Sequence, residues 1–299
     1  MGLTNFPNGI SSFGIPVLGS GNLVTTGNVF FVDSGAANAS DSAKGTDKGK
    51  PLATLDAAVG LCTANNGDII VLMPGHAESV TTAAAIALDV AGVRIVGLGQ
   101  GATRPTFTFT TSTLADIDID AASVSIENCV FVNGVDSLAV AIDVNAADFD
   151  INDCEFRDSS TQTLIYIFAS SAASRFTAAG LKARQLTAGA ASFIKFNGTA
   201  DTRIENCDIV GDYSVANISN TSLVATDILI QYNNMDNLNA VDVNIDLVAT
   251  TDGTIKGNTL RLATSPEVTW IDSSDCQLYE NYGVNVDART GKLIGTVTT

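Results

Sequence analysis

Positive charge is scarce in this 299-residue chain. Its 15 lysines and arginines are outnumbered by 32 aspartates and glutamates, so the formal net charge at pH 7 is −17. A surface of this sign repels nucleic-acid phosphates and anionic lipids, so we expect no nucleic-acid or membrane partner. The chain also lacks an apolar run of roughly 18 residues, and no basic segment follows Met1. We therefore expect neither a membrane span nor a signal peptide.

Groups that commonly carry out chemistry are also few. The chain has one histidine, one tryptophan and 6% aromatic residues. His76 follows a Pro-Gly pair and lies near Glu78, where we interpret it as a turn residue rather than a general base. The five cysteines form no CxxC pair and have no histidine beside them, which argues against a zinc site. We expect reduced, buried thiols, no metal and no other cofactor, in a protein made in a cytoplasm.

The chain is rich instead in a repeat that recurs about every 25 residues. Each copy has two small residues, then Asp or Ser, then an aliphatic anchor, with Asn or Cys three positions after the anchor. The anchors are Ile126, Ile151, Ile204, Ile230, Ile255 and Leu278. The interval from Ile151 to Ile204 is twice as long, which predicts one more copy with Ser174 in the Asp/Ser position. Repeats of this length with one strand-like segment each indicate a solenoid.

The pattern within each copy predicts which residues face inward. The anchor and the residue two positions before it are mostly apolar, whereas the residue between them and the residue after the anchor are mostly polar. This period of two indicates a half-buried strand, and stacked copies should place the isoleucine anchors in one buried column.

The residues at the turn position, three after each anchor, predict a ladder of stacked side chains. This position holds Asn233, Asn258 and Asn281 in the later copies. Asparagine bonds to backbone at turns and tolerates unusual backbone angles, so these amides should stack at the strand spacing of roughly 4.8 Å. The earlier copies place small buried thiols at this position, those of Cys129, Cys154 and Cys207.

The ends of the chain differ from its repeats. Residues 1–27 form an N-terminal arm with many apolar side chains and no clear period, and those side chains need a place to be buried. The arm either folds back as a cap on its own solenoid or docks on a partner. Our partner-binding candidates are Phe6, Phe13, Ile15, Val17 and Leu18.

The remaining divisions follow from the same pattern. We place the solenoid at 28–286, a helix at about 54–63 with Thr54 as its N-cap, and a C-terminal tail at 287–299. The helix is expected to cover the open end of the apolar column, where strand edges would otherwise be unpaired.

Several segments resemble a known family. FVDS, PLATLDAAV and GDIIVLMPGHAESV, followed by the IENC-type repeats, are similar to the right-handed parallel β-helix (pectin-lyase-like) superfamily. With the opening MGLTNFPNGISSFGIPVLG, they resemble more narrowly the β-helix structural proteins of tailed bacteriophages. The resemblance covers essentially the whole chain. It implies an all-β fold, a right-handed parallel β-helix (solenoid) with a short N-terminal capping α-helix.

The resemblance also implies a location and partners. It places the protein in a virion, with the major capsid protein or another virion protein as partner. Rods with regular sides associate readily around a closed axis, and virion β-helices of this kind are often trimers, so we expect a homotrimer.

Because the superfamily includes lyases and hydrolases as well as inert scaffolds, catalysis is judged from residues. Asp118 and Asp143 take the same outward position in successive copies, about 5 Å apart by strand spacing. This separation approximates that of a retaining glycosidase pair, roughly 5–5.5 Å. Asp116 and Asp120 would enlarge the pair into an oxygen-ligand calcium site. We favour the alternative, a solvated acidic face on an acidic chain.

Other requirements of a polysaccharide-degrading enzyme are not met in the sequence. Tyr279 and Tyr282 are the only close outward aromatic pair, which is little for a sugar groove. The arginines that a lyase would need are scattered, at Arg157, Arg175, Arg184 and Arg203. We expect a non-enzymatic virion structural protein, a capsid decoration or head-spike protein with no catalytic residues. The alternatives are a tailspike-type polysaccharide depolymerase (glycoside hydrolase or lyase) and a non-catalytic host-surface adhesin.

Overall fold

The computed structural model shows a chain that is almost entirely β-structure, coiled into a parallel solenoid with three faces around one hydrophobic core. It describes residues 25–159, 162–220, 222–239, 243–262, 270–273 and 275–285, and the backbone of strands at 10–12, 15–17 and 290–294.

The first face, named here the anchor sheet, is a sheet of ten parallel strands. Each solenoid coil contributes one strand to it. In chain order the strands are Val29–Val32, Ile69–Leu72, Arg94–Gly97, Ser125–Glu127, Asp150–Asn152, Thr177–Ala179, Arg203–Glu205, Ile228–Gln231, Asp252–Lys256 and Asp275–Tyr279.

The second and third faces belong to one larger sheet, because the long strands Lys182–Phe196 and Asp208–Asn220 run through both. The other strands of the second face are Ala77–Val80, Thr106–Phe109, Val130–Asn133, Glu155–Arg157, Asn234–Asn237, Thr259–Leu262 and Asn281–Asn285. Those of the third face are Ile86–Leu88, Ile117–Ile119, Leu138–Val144, Thr163–Ala169, Ile245–Leu247 and Ile271–Asp272.

The predicted column of anchors is confirmed. Ile126 pairs with Ile151, and the later anchors pair in turn, each of them buried. The full column reads Phe30, Ile70, Ile95, Ile126, Ile151, Ala178, Ile204, Ile230, Ile255 and Leu278. Burying each large apolar side chain contributes roughly 1.5–3 kcal/mol, so the column is a main source of stability.

The additional copy between Ile151 and Ile204 exists, but Ser174 does not take the predicted position in it. Arg175 does, with a φ of 58° that matches the 60° of Asp148 one coil earlier. The anchor of this copy is Ala178. Its two small residues, Ala172 and Ala173, lie one position farther from the anchor than in the other copies, which moves the corner to Arg175. The Arg175 guanidinium forms an ion pair with the Asp148 carboxylate of the previous coil.

The predicted amide ladder is confirmed at the corner between the anchor sheet and the second face. The Asn258 amide nitrogen donates to Asn281 Oδ1 at 2.9 Å and to the Ile230 carbonyl at 3.0 Å. Its Oδ1 accepts from the Asn233 backbone N–H at 2.9 Å and from the Asn233 amide at 3.0 Å. Each amide thus satisfies backbone groups that are buried at a tight corner and would otherwise lack partners.

The residue with left-handed backbone angles is not the ladder Asn itself but the one before it. These residues are Asn128, Asp153, Gly180, Asn206, Tyr232, Gly257 and Glu280. Most of them donate their N–H to a carbonyl of the next coil, as Asn128 does to Asn152 at 3.1 Å. These corners are therefore fixed by bonds between successive coils.

The cysteines are free thiols, as predicted. Four are buried and Cys62 is half-buried. The thiol of Cys154 lies 3.4 Å from the backbone nitrogen of Cys129, so the cysteines of this corner occupy the ladder position in place of asparagine.

A short helix, Leu55–Val59, packs against the first strands of the solenoid. Thr54 is its N-cap and accepts a hydrogen bond from the Ala57 N–H at 3.3 Å, as predicted. The helix is shorter than the predicted 54–63, because the chain turns from Gly60 onward. Its buried residues are Leu55, Ala58 and Val59, which cover the N-terminal end of the core.

The two terminal regions add three short antiparallel strands. Ile10–Ser12 pairs with Ile15–Val17 in a hairpin, and Thr290–Ile294 pairs with Asn281–Asn285 of the last coil. The predicted tail at 287–299 thus contains a strand that extends the second face. Among the partner-binding candidates, Ile15 and Val17 lie in the hairpin. The others, Phe6, Phe13 and Leu18, lie outside the described residues.

We expect Asn258→Ala to lower the free energy of unfolding by roughly 2–5 kcal/mol, because it leaves the Asn233 N–H buried without a partner and removes the amide bonds to Asn281 and to the Ile230 carbonyl. Chemical denaturation followed by circular dichroism measures the change. Asn234→Ala is the matched control, since this half-buried amide bonds only to the Asp208 carboxylate and should cost about 1 kcal/mol or less. Equal losses in the two variants would contradict a structural role for the ladder.

Candidate functional site

The two carboxylates paired in the sequence lie side by side on the third face. Asp118 is in the strand Ile117–Ile119 and Asp143 is in Leu138–Val144, and the two residues are opposite each other in the parallel register. Adjacent strands are about 4.8 Å apart. The prediction that both take the same outward position of successive coils is confirmed.

These carboxylates are half-buried, so the expectation of a solvated face is wrong. Oδ1 of Asp118 and Oδ1 of Asp143 are both shielded from solvent, and neither has a hydrogen-bond partner among the described residues. The reason lies in the neighbours, because Ala87 takes the same position on one side of the pair and Phe168 takes it on the other.

Burial and mutual repulsion change the acidity of this cluster. Burial, together with the negative charges of Asp116, Asp143 and Asp120, raises the pKa of Asp118 to about 6. Burial also raises the pKa of Asp143, against a hydrogen bond from Asn145 that lowers it. Two neighbouring carboxyls of unequal environment can divide the roles of acid and base, so the pair has the chemistry of a general acid beside a carboxylate.

The larger oxygen site considered for calcium is not formed. Asp116 accepts a hydrogen bond from the Ala84 N–H, which turns one of its oxygens toward backbone. Within the part of the chain that the structure describes, no group of three or more His, Cys, Asp or Glu side chains is arranged to hold a metal ion.

His76 is a structural residue, in agreement with its interpretation as part of a turn, and it is only 1% exposed. Its Nδ1 accepts the Ser34 N–H at 3.1 Å, so Nε2 carries the proton and donates to Glu78 Oε2 at 3.1 Å. The same Glu78 oxygen accepts the N–H of Leu55, the first residue of the helix, at 2.9 Å. The imidazole therefore ties the first coil to the capping helix.

The arginines are less scattered than the sequence suggested. Arg157 and Arg184 are opposite each other on successive coils of the second face, which corrects that expectation. Arg157 is held by Glu155, whose other oxygen accepts from Arg104 at 3.1 Å. These residues lie on a different face from Asp118 and Asp143, so Arg104, Arg157 and Arg184 are not beside the paired acids.

One exposed aromatic residue was missed by sequence reasoning. Tyr232 lies at the same corner as Tyr279 and Tyr282 and is 56% exposed. The sequence does indicate that Tyr232 is unusual. The residue just before the ladder position is Asn, Asp, Gly or Glu in the other coils, and it is a bulky aromatic residue only at Tyr232.

Fold and site together define a parallel β-solenoid with an acidic pair on one face and an aromatic corner on another. No family model matches the chain, and no curated protein matches it. Among solved structures, a rhamnogalacturonan lyase is similar over 90% of both chains, with a TM-score of 0.43 and 12% identity. In the described residues, no helix is long and apolar enough to cross a membrane.

We expect Asp118→Asn to stabilise the protein at pH 7.5 by about 2–4 °C in Tm, because it removes a half-buried charge that its neighbours repel. The folded-state pKa lies above the unfolded value, so the cost of ionisation is full above pH 6 and disappears as the pH falls toward 4. The gain over wild type should shrink accordingly when thermal denaturation is followed across this range.

Asp143→Asn relieves the same repulsion, so the double variant should gain less than the sum of the single gains. A constant difference between wild type and Asp118→Asn from pH 4 to pH 7.5 would show that the carboxylates are independent and solvated.

Proposed function

We propose that this chain is a non-enzymatic structural protein of a virion, a capsid decoration or head-spike protein of a tailed phage. The observation that carries this proposal is that the polar chemistry of the solenoid serves contacts between its own coils. The amides of Asn233, Asn258 and Asn281 bond to one another and to backbone, and His76 is buried in a structural role. The similarity of the opening segments to phage β-helix proteins supplies the virion context.

The ion pairs support the same role. Arg94 bonds to Glu127 of the next coil at 2.7 Å, and Arg104 reaches Glu155 two coils on at 3.1 Å. Such pairs add little stability singly at a surface, but together they link several coils along the axis. A stiff rod with linked coils suits a protein that projects from a particle.

Electron cryo-microscopy of gradient-purified particles tests this role. We expect a rod-shaped density on the particle that fits the solenoid and contacts the major capsid protein or another virion protein. Recovery of the protein only in the particle-free fraction of the lysate would refute the proposal.

The N-terminal arm is our proposed attachment segment, and a homotrimer is the proposed assembly. Each large apolar side chain of the arm contributes roughly 1.5–3 kcal/mol when buried, enough in sum to anchor a partner after ordering costs. The hairpin of Ile10–Ser12 and Ile15–Val17 is a separate two-stranded sheet, outside the solenoid sheets.

Deletion of residues 2–22 should leave the β-sheet circular dichroism intact while abolishing trimerisation and particle binding. Size-exclusion chromatography with light scattering and cosedimentation with particles measure the two losses. A full-length chain with Asn5→Ala and Ser11→Ala is the control and should behave as wild type. If the truncated chain still forms trimers and binds particles, the arm is only a cap.

A polysaccharide depolymerase is the second candidate, because the register of Asp118 and Asp143 and the raised pKa of Asp118 fit an acid–base pair. We expect the purified protein to release no oligosaccharide from host-surface polysaccharide, as judged by reducing-end and unsaturated-product assays. Release that is lost in the Asp118→Asn, Asp143→Asn double variant would establish this candidate instead.

A further inference from the structure

Tyr232 adopts a backbone conformation that is unfavourable for a bulky side chain. It takes the left-handed corner after the strand Ile228–Gln231, with a φ of 56°. Left-handed angles suit Gly, Asn and Asp, which fill this corner in most other coils. The corner geometry therefore does not require a tyrosine. Because the fold does not require a strained tyrosine at this corner, the conformation of Tyr232 indicates that its side chain has a function.

The ring of Tyr232 rests on the next coil and is held in place by it. A Cβ at Gly257 would lie 2.6 Å from the ring atoms Cδ1 and Cε1 of Tyr232, so any larger residue there would displace the ring. One coil further, Tyr279 and Tyr282 flank the corner residue Glu280, and they are 45% and 46% exposed. Three of the five tyrosines of the chain thus share one exposed corner.

The same coils form an open cavity at the opposite edge of the anchor sheet. The cavity has a volume of about 450 Å³, and its lining includes Asp201, Arg203, Asp227, Leu229 and Gly253. From Asp227 to Tyr232 the chain advances five residues, about 17 Å at the rise of a strand. A single strand therefore connects the cavity to the aromatic corner.

Hydrogen-bonding side chains cover the surface between the cavity and the tyrosines. Gln231 points outward and donates to Glu205 Oε2 at 2.6 Å, and Lys256 takes the same outward position on the next coil. On the last coil the Tyr279 hydroxyl donates to Gln277 at 2.8 Å. The surface between the two features is thus mostly polar, with aromatic rings at one end and a cavity that includes Leu229 at the other.

We infer that this strip of the anchor sheet, from the cavity at Asp227 to Tyr232 and Tyr279, binds a neutral oligosaccharide. A sugar ring offers an apolar C–H face, which packs on an exposed aromatic ring, and hydroxyls, which bond to amide, carboxylate and ammonium groups. The strip presents both kinds of group across neighbouring strands of the anchor sheet. It lies on a different face from Asp118 and Asp143, so the binding is independent of any chemistry at that pair.

The charge of the strip selects among sugars. Its carboxylates outnumber its cations, since Asp201, Asp227, Asp252, Asp275, Glu205 and Glu280 lie along it or at its borders with Arg203 and Lys256. Arg203 is already paired with Asp201 at 3.0 Å. An anionic glycan would meet net repulsion here, whereas a neutral one would not.

A protein partner fits this surface less well. Its tyrosines are separated by polar side chains and by Gly257, whereas the centre of a protein interface is a contiguous, well-packed cluster. Separate rings beside hydrogen-bonding groups match the alternation of apolar and polar surfaces along a saccharide chain.

Affinity electrophoresis of the full chain in native gels tests the inference, because its net charge of −17 gives it high mobility. The gels contain dextran, mannan or polygalacturonate. We expect dextran or mannan to retard the wild-type protein, and polygalacturonate to have no effect. Tyr232→Asn and Tyr279→Ala should each raise the dissociation constant about tenfold, given the energy of an aromatic contact.

Two features of the design separate binding from folding. Tyr232→Asn installs the residue that Asn128 and Asn206 provide at the same corner, so its denaturation midpoint should equal or exceed that of wild type. Leu186→Ala is the control, since Leu186 is 60% exposed on the long strand Lys182–Phe196 and should leave retardation unchanged.

Three results would overturn the inference. They are unaltered mobility in both neutral gels, retardation that survives both tyrosine substitutions, and retardation by polygalacturonate alone. Failure of the virion proposal would leave the result of this experiment unaffected, because the gels contain no particle component.

Discussion

Hydrogen bonding from one coil to the next is the constraint on which the rest of this structure depends. A parallel solenoid has tight corners where backbone groups are buried, and an unpaired group there is costly. The chain meets this constraint with left-handed residues such as Asn128, whose N–H reaches the next coil, and with the amides of Asn233 and Asn258. The anchors can stack in a single column only because the corners hold every coil in the same register.

Much of the fold could be predicted because its determinants are local. Alternation over a few residues decides which side chains point inward, and the anchor column around Ile126 and Ile151 follows from it. The N-cap at Thr54 and the ladder at Asn258 are equally local, since each needs one side chain at one position. The pairing of Asp118 with Asp143 followed from the same repeat.

Other features depend on three-dimensional context that spacing does not encode. The copy containing Ala178 has a small anchor, and its corner is formed by Arg175, so the expected Ser174 was one residue off. The burial of Asp143 depends on a neighbour, Phe168, that is distant in sequence. The position of the Tyr232 ring depends on the glycine of the following coil, Gly257, so no single copy of the repeat reveals it.

The last strand, Thr290–Ile294, runs antiparallel to its neighbour, unlike the strands of the coils themselves. A solenoid that ended in a parallel coil would present a template on which the first coil of a second molecule could continue the stack, and such growth leads to fibres. An antiparallel strand has a different pattern of inter-strand hydrogen bonds from a parallel one, so it does not continue the parallel stack. The five residues of this strand thus cover the terminal edge of the second face, where a parallel continuation of the stack would otherwise pair.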